Sequence, residues 1–150
     1  MNKIAVVPFD ARDEVALGIL LQASDLSGED ITPEMLEHFL VAHVDKALVG
    51  CAGLEMMMDE SGLLRSVAVD EAHRGTGLGK ELVAAMEEHA REAGVRDLYL
   101  LTTTAEGFFA GLGYKKIPRE QAPSGIAGTT QFSELCPTSS CFMLKIIAST

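Results

Sequence analysis

The sequence predicts a mixed α/β fold with a central, mostly antiparallel sheet flanked by helices. Three observations predict it: strand-length apolar runs separated by turn residues between Phe39 and Val69, a change to helical spacing from Lys80 onward, and a hydrophobic fraction of 47% that supports a packed core. At 150 residues the chain has the length of one domain, and a domain of that size buries roughly 70% of the surface its unfolded form exposes. We expect a single domain across residues 1–150.

Met1 to Pro8 carries an apolar stretch too short for a secretion signal, and charges follow at once, so it reads as a first strand and the protein as cytoplasmic. Beyond the polar stretch Asp10 to Glu14, Val15, Ile19 and Gln22 alternate with Leu17, Leu20 and Leu21 over a helix-length segment, a buried first helix. Thr32-Pro33-Glu34 starts a short second helix: Thr32 offers a capping oxygen, and Pro33 lacks an N–H where a helix leaves its amide unpaired anyway. Phe39 to Val44 and Ala47 to Met57 form a hairpin around Asp45-Lys46. Asp59 to Gly62 then turns the chain into Leu63 to Val69, where Leu64, Ser66 and Ala68 face opposite to Leu63, Arg65, Val67 and Val69.

From Lys80, Leu82, Ala85, Met86, His89, Ala90 and Ala93 share one helix face, Gly94 ends the helix, and Glu87 and Arg91 lie on its solvent side. Leu98 to Thr103 is a buried strand, Ala105 to Leu112 a short helix ended by Gly113, and Tyr114 to Ile117 a further strand. Pro118 to Ser140 is rich in Ser, Thr, Gly and Pro and reads as a long structureless segment, a kind of stretch that is usually functional. Cys141 to Ile147 closes the sheet, and its apolar character suggests a homodimer.

Charge narrows the function. A formal net charge of −10 argues against nucleic acid or an anionic membrane as the main partner, since both require clustered Lys and Arg. Any anion must be held locally. No apolar run approaches the roughly 20 residues of a membrane helix. Cys51, Cys136 and Cys141 are an odd number without an export signal, so reduced thiols are expected.

One segment answers the requirement for a local anion site. Ser66 to Lys80 reads as a strand, a sharp loop and the start of an amphipathic helix, with Arg74-Gly75-Thr76-Gly77-Leu78-Gly79 as the loop. Three glycines allow several N–H groups to converge at the positive end of the helix dipole, where a diphosphate is the natural guest. Arg74 and Lys80 add positive charge at that mouth. A P-loop would need Gly where Arg74 stands and Ser or Thr where Glu81 stands. The dinucleotide fingerprint would need a third Gly in place of Lys80 and a parallel unit around it.

The sequence resembles the GNAT superfamily of N-acetyltransferases, whose signature Arg/Gln-x-x-Gly-x-Gly/Ala is matched by Arg74, Gly77 and Gly79. The order of elements is similar over nearly the whole chain. The resemblance implies a sheet splayed where the Val67 and Leu98 strands part, opening a cleft for acetyl-CoA as co-substrate, with no metal. It also implies that amides from Gly75 to Lys80, with Thr76 and Leu78 between the glycines, cradle the CoA diphosphate. Val67, Ala68 and Val69 would pair with the pantetheine arm, and a backbone N–H near Val69 would serve the oxyanion. More narrowly, Leu98 to Phe109 with Gly113-Tyr114 resembles a branch of GNATs associated with arsenic-resistance gene clusters and, further off, bacterial amino-acid N-acetyltransferases. Leu135 to Cys141 is closer to the former. The implied reaction is direct acetyl transfer to the primary amine of a small amino-acid-like acceptor, an arsenic-containing one included.

Acetyl transfer to an amine needs a neutral nucleophile, a stabilised oxyanion and a proton for the departing thiolate. Many GNATs place a Tyr four residues before the helix-ending Gly as the acid near sulfur; here Phe109 occupies that place, against the coenzyme. Tyr99 and Tyr114 are the only tyrosines, each either a half-buried strand residue or catalytic, with Tyr114 kept as a candidate. Glu55 is either a base acting directly or through water, or a solvated edge carboxylate. Arg65, between apolar strand residues, either binds an anionic group of the acceptor or pairs with a neighbouring carboxylate. Thr102, Thr103 and Thr104 end a central strand, with Thr102 and Thr103 candidate substrate contacts, although Thr is also simply β-prone. His38, His43, His73 and His89 show no metal-ligand spacing, and Cys136 and Cys141 lack a completing pair for zinc. The three cysteines are either idle thiols or, with a trivalent arsenical, its ligands. Two rival functions are a CoA-binding sensor and a transferase acting on protein N-termini or lysines.

Overall fold

The computed structural model describes residues 4–26, 28–135 and 140–148. Strand β1 (Ile4–Pro8) leads through a tight turn into α1 (Glu14–Ala23), and α2 (Pro33–Leu36) precedes β2 (Phe39–Val44), β3 (Ala47–Met56) and β4 (Ser61–Val69). After them come α3 (Leu78–Glu92), β5 (Asp97–Thr102), α4 (Glu106–Gly111), β6 (Lys115–Lys116), α5 (Ser124–Ala127) and β7 (Cys141–Ile146). The strands form a seven-stranded sheet in the order β1-β2-β3-β4-β5-β7-β6. The pairs β1-β2, β2-β3, β5-β7 and β6-β7 are antiparallel, and β4-β5 is parallel. The mixed, mostly antiparallel fold is the one expected. The last strand does not close the sheet, however: β7 lies between β5 and β6, and the edge falls to β6, two residues long and made of lysines. A short, charged edge discourages strand addition.

The chain divides into two compact units, Met1–Leu54 with Ser66–Glu88 and Glu55–Arg65 with His89–Thr150. In the first, Leu17, Leu20 and Leu21 of α1 pack on Phe39, Val41, Cys51 and Ala68. The apolar face of α1 is one-sided, since Val15 and Ile19 are 76% and 63% exposed. Thr32 caps α2 as expected, its Oγ1 accepting from Met35 N at 3.3 Å. Before α1, Asp13 accepts from Asp10 N (3.0 Å) and meets His43 Nε2 (2.8 Å), which ties the helix start to β2. Successive strand residues face opposite ways, so Gly50 looks away from Cys51. A Cβ there would lie 2.8 Å from Leu82 Cδ1 and 3.3 Å from the Ala68 carbonyl oxygen, which is how closely α3 approaches the strand.

Glu87 does not lie on the solvent side of α3; it is 9% exposed. The buried stripe runs through Leu78, Leu82, Val83, Met86 and Ala90, so Glu87, four residues after Val83 and three before Ala90, falls on its flank. Ala93, expected on the buried face, is exposed.

In the second unit Leu63, Tyr99, Ile126 and Phe142 make a core cluster joined by Ile117 and Phe132. The segment expected to be structureless carries α5 and further short helical turns between Arg119 and Leu135. Packing orders it. Phe132 meets Phe142 edge-on with centroids 5.3 Å apart, and Arg119 lies 4.4 Å above the Phe132 ring while donating to Phe132 O and Ser140 Oγ. Among the described residues no helix is long and apolar enough to cross a membrane.

Candidate functional site

The expected glycine turn forms ahead of α3. Its two central glycines, Gly75 and Gly77, have φ of 78° and 88°, the left-handed region that glycine enters without the clash a Cβ brings. A Cβ at either position would meet nothing within 4 Å. Backbone conformation, not crowding, therefore demands glycine. Thr76 Oγ1 donates to His73 O at 2.5 Å, His73 N to Asp70 O at 2.8 Å, and Arg74 Nε reaches back to Val69 O at 3.1 Å, so the loop is tied to the end of β4.

Leu78, 2% exposed, anchors the first turn of α3. The first bond closing that helix runs from Glu81 N to Gly77 O. The amides of Leu78, Gly79 and Lys80 precede it and are the donors a helix start leaves for a ligand. Arg74, Gly75, Thr76, Gly77 and Lys80 are exposed and Gly79 half-buried, so the mouth is open to solvent and carries two positive side chains. Glu71 and Glu81 flank it.

Upstream, Val67 and Val69 are half-buried and Ala68 is buried. The regular alternation expected through this strand breaks at Ser66, whose φ of 56° is uncommon for a non-glycine residue and redirects the chain just before Val67. Cys51 Sγ donates to Ser66 O at 3.1 Å. Burial pushes the Cys51 thiol up to about 12, so it remains the protonated donor this bond needs. Neither feature had a sequence signal. Ser is not a left-handed residue by habit, and Cys51 lies fifteen positions away.

In the second unit, Arg65 Nη1 lies 3.3 Å from Glu55 Oε1, with side chains 2% and 16% exposed. The candidate base and the candidate anion binder are thus each other's partner, and Glu55 is not a solvated edge carboxylate. Phe109 and Tyr114 pack edge-on, centroids 5.6 Å apart, and both are buried. Tyr99 stacks on Phe142, and burial, helped by Asp97 and Asp59, raises its hydroxyl above the usual range. Thr102 Oγ1 accepts from Ala105 N at 3.0 Å, which ties the turn ahead of α4, while Thr103 is exposed. Among the described residues no group of His, Cys, Asp and Glu is placed to hold a metal ion. Cys136 and its neighbours to Ser139 lie outside the described residues.

A mixed sheet that feeds a strand through a glycine turn into an exposed helix start leaves backbone amides open at the positive end of α3. Residues 36–116, more than half of the sequence, match the acetyltransferase (GNAT) domain, and the chain belongs to that family. It is 34% identical over 93 residues to an uncharacterised N-acetyltransferase of Chlorobaculum tepidum, covering 62% of this chain and 59% of that protein. It is 30% identical over 116 residues to the amino-acid acetyltransferase of Pseudomonas aeruginosa, covering 77% of this chain and 26% of the relative. The chain therefore spans less than two thirds of these relatives. Among solved structures it is similar to N-acetylglutamate synthase from Neisseria gonorrhoeae complexed with coenzyme A and N-acetyl-glutamate, with a TM-score of 0.84 at 18% identity over 99% of this chain and 36% of that one. A Mycobacterium tuberculosis protein in complex with CoA and NLQ gives 0.78 at 23%, over 95% and 98%. These likenesses establish the fold.

Proposed function

We propose that the protein is an acetyl-CoA-dependent N-acetyltransferase acting on the primary amine of a small amino-acid-like acceptor. The turn carries this reading: two left-handed glycines deliver the chain to an open helix start with Arg74 and Lys80 beside it. Family membership, the amino-acid acetyltransferases among its relatives and the CoA in its structural neighbours support it. In the proposed complex the Gly75 to Lys80 amides hold the diphosphate and Val67 to Val69 carry the pantetheine arm. The amine attacks the thioester carbonyl, Glu55 takes the amine proton directly or through water, the C–S bond breaks, and the thiolate leaves. Phe109 has no proton to give, so water or Tyr114 protonates the sulfur. Arg65 orients Glu55 at 3.3 Å, and its fork of five donors has the capacity to serve an acceptor carboxylate as well. Thr102 and Thr103 line the acceptor end.

The reading includes a cytoplasmic, single-domain protein that associates as a homodimer, no nucleic acid partner, and acceptors that extend to arsenic-containing amines. Phe109 favours a second reading, a coenzyme sensor. Thiol release from acetyl-CoA, measured across amino acids and their toxic analogues, separates the two. Transfer to an amino acid, with the Michaelis constant raised in Arg65→Ala, supports the enzyme; coenzyme binding without transfer to any amine refutes it.

A further inference from the structure

The end of β4 is held by a side chain of its neighbour. Cys51 of β3 is fully buried in the cluster of Leu17, Leu20, Phe39 and Ala68 beneath α1, and its thiol meets β4 twice. It donates to Ser66 O at 3.1 Å, and the Ala68 backbone N–H donates to the same sulfur. A thiol fills both roles at once, as a weak donor and a weak acceptor. One sulfur therefore bridges the backbone on either side of Val67.

The bridge sits where β4 is irregular. Ser66 has a φ of 56°, and a left-handed residue inside a strand breaks the regular ladder. The parallel pairing of β4 with β5 covers Ser61 to Leu64, ahead of this stretch. Past the break, Ser66 O and Ala68 N are turned to Cys51, and Asp70 N donates to Val49 O at 2.8 Å, so the even positions engage β3. Successive strand residues direct their backbone groups to opposite edges, which turns the N–H and C=O of Val67 and Val69 away from β3. Arg74 Nε reaches Val69 O on that other edge at 3.1 Å. A valine at position 51 would also fill the cluster, but it could not bond the backbone; cysteine does both.

We propose that Cys51 is a positioning residue for the coenzyme: by bracketing Val67 it fixes the direction of the Val67 and Val69 backbone groups that pair with the pantetheine arm. This role rests on the acetyl-CoA function proposed above and adds to it a residue that touches neither coenzyme nor acceptor. The glycine turn is shaped by bonds of its own, from Thr76 Oγ1 to His73 O and from His73 N to Asp70 O, so diphosphate binding should not depend on Cys51.

Calorimetry separates the arm from the head group. CoA and adenosine 3′-phosphate 5′-diphosphate, which has the head group without the arm, are titrated into the full-length protein and its variants, and the ratio of the two affinities reports on the arm. Cys51→Val and Cys51→Ala should lower that ratio by about fivefold or more, roughly the worth of one hydrogen bond, with head-group affinity unchanged. Cys51→Ser, which restores a donor to Ser66 O, should recover part of the loss. A ratio equal to wild type in the valine and alanine variants, equal weakening of both ligands, or a serine variant no better than alanine overturns the role. Binding of neither ligand to the wild type overturns the acetyl-CoA function itself, and this role with it.

Discussion

Replacing Gly77 with alanine isolates the backbone conformation of the turn. At a φ of 88° an L-residue other than glycine suffers a clash between its own Cβ and backbone, a cost of about 1–2 kcal/mol. No neighbour adds to it, because the new methyl meets nothing within 4 Å. The cost must appear in one of two places. If the turn keeps its shape, folding stability falls by that amount, roughly 2–4 °C of melting temperature for each kcal/mol in a domain of this size. If the turn relaxes, the coenzyme must restore it, and affinity falls by roughly 5- to 30-fold. Gly77 is exposed, and the bond its carbonyl accepts from Glu81 N lies on the helix side and leaves its φ to relax, so the loss is expected mainly in affinity. Calorimetric titration with CoA and thermal unfolding together measure both parts. Gly107→Ala is the control, since that residue is equally open but sits in α4 without a positive φ. If Gly77→Ala changed neither affinity nor stability, the turn would not be the conformational element described.

Two further predictions concern the first unit. Gly50→Ala places a methyl 2.8 Å from Leu82 Cδ1 with the Ala68 carbonyl behind it, and overpacking of this kind costs about 1–3 kcal/mol; a urea midpoint equal to wild type would show that α3 yields freely. Cys51, raised from 9.0 to about 12 by burial, releases its proton in the unfolded chain first. Its contribution therefore turns destabilising as pH rises above 9 and grows until about 12. Stability curves over that window should flatten in Cys51→Ala, and a thiol reagent should label Cys51 only on unfolding.

What was legible in the sequence was what short stretches dictate. The capping pattern at Thr32-Pro33, the Asp45-Lys46 hairpin and the glycine turn ahead of α3 each depend on neighbours within a few residues, and each forms where the pattern puts it. Composition misled where long-range packing wins. Between Arg119 and Leu135 a sequence rich in Ser, Thr, Gly and Pro still folds, because Ile126 and Phe132 have Tyr99 and Phe142 to pack against and Arg119 donates to Phe132 O. Helical periodicity was read with one wheel position too many at Ala93 and one too few at Val83, which put Glu87 in solvent when it lies on the buried flank.

The candidate site divides along the same line. The half proposed to hold the anion is a run of consecutive residues, so its local shape could be read directly. Its catalytic half depends on which residues face one another across strands. In sequence Arg65 was open between an acceptor anion and a neighbouring carboxylate, with nothing to say which one; in the fold the carboxylate is Glu55, ten residues away. The pairing alters what substitution means. Arg65→Ala removes the proposed substrate contact and also leaves a largely buried carboxylate without that partner, an effect that by itself reaches about 3–5 kcal/mol when a buried pair is broken. Arg65→Met combined with Glu55→Gln removes both charges, so acceptor affinity lost in the double variant as well as in the single one would belong to recognition rather than to folding.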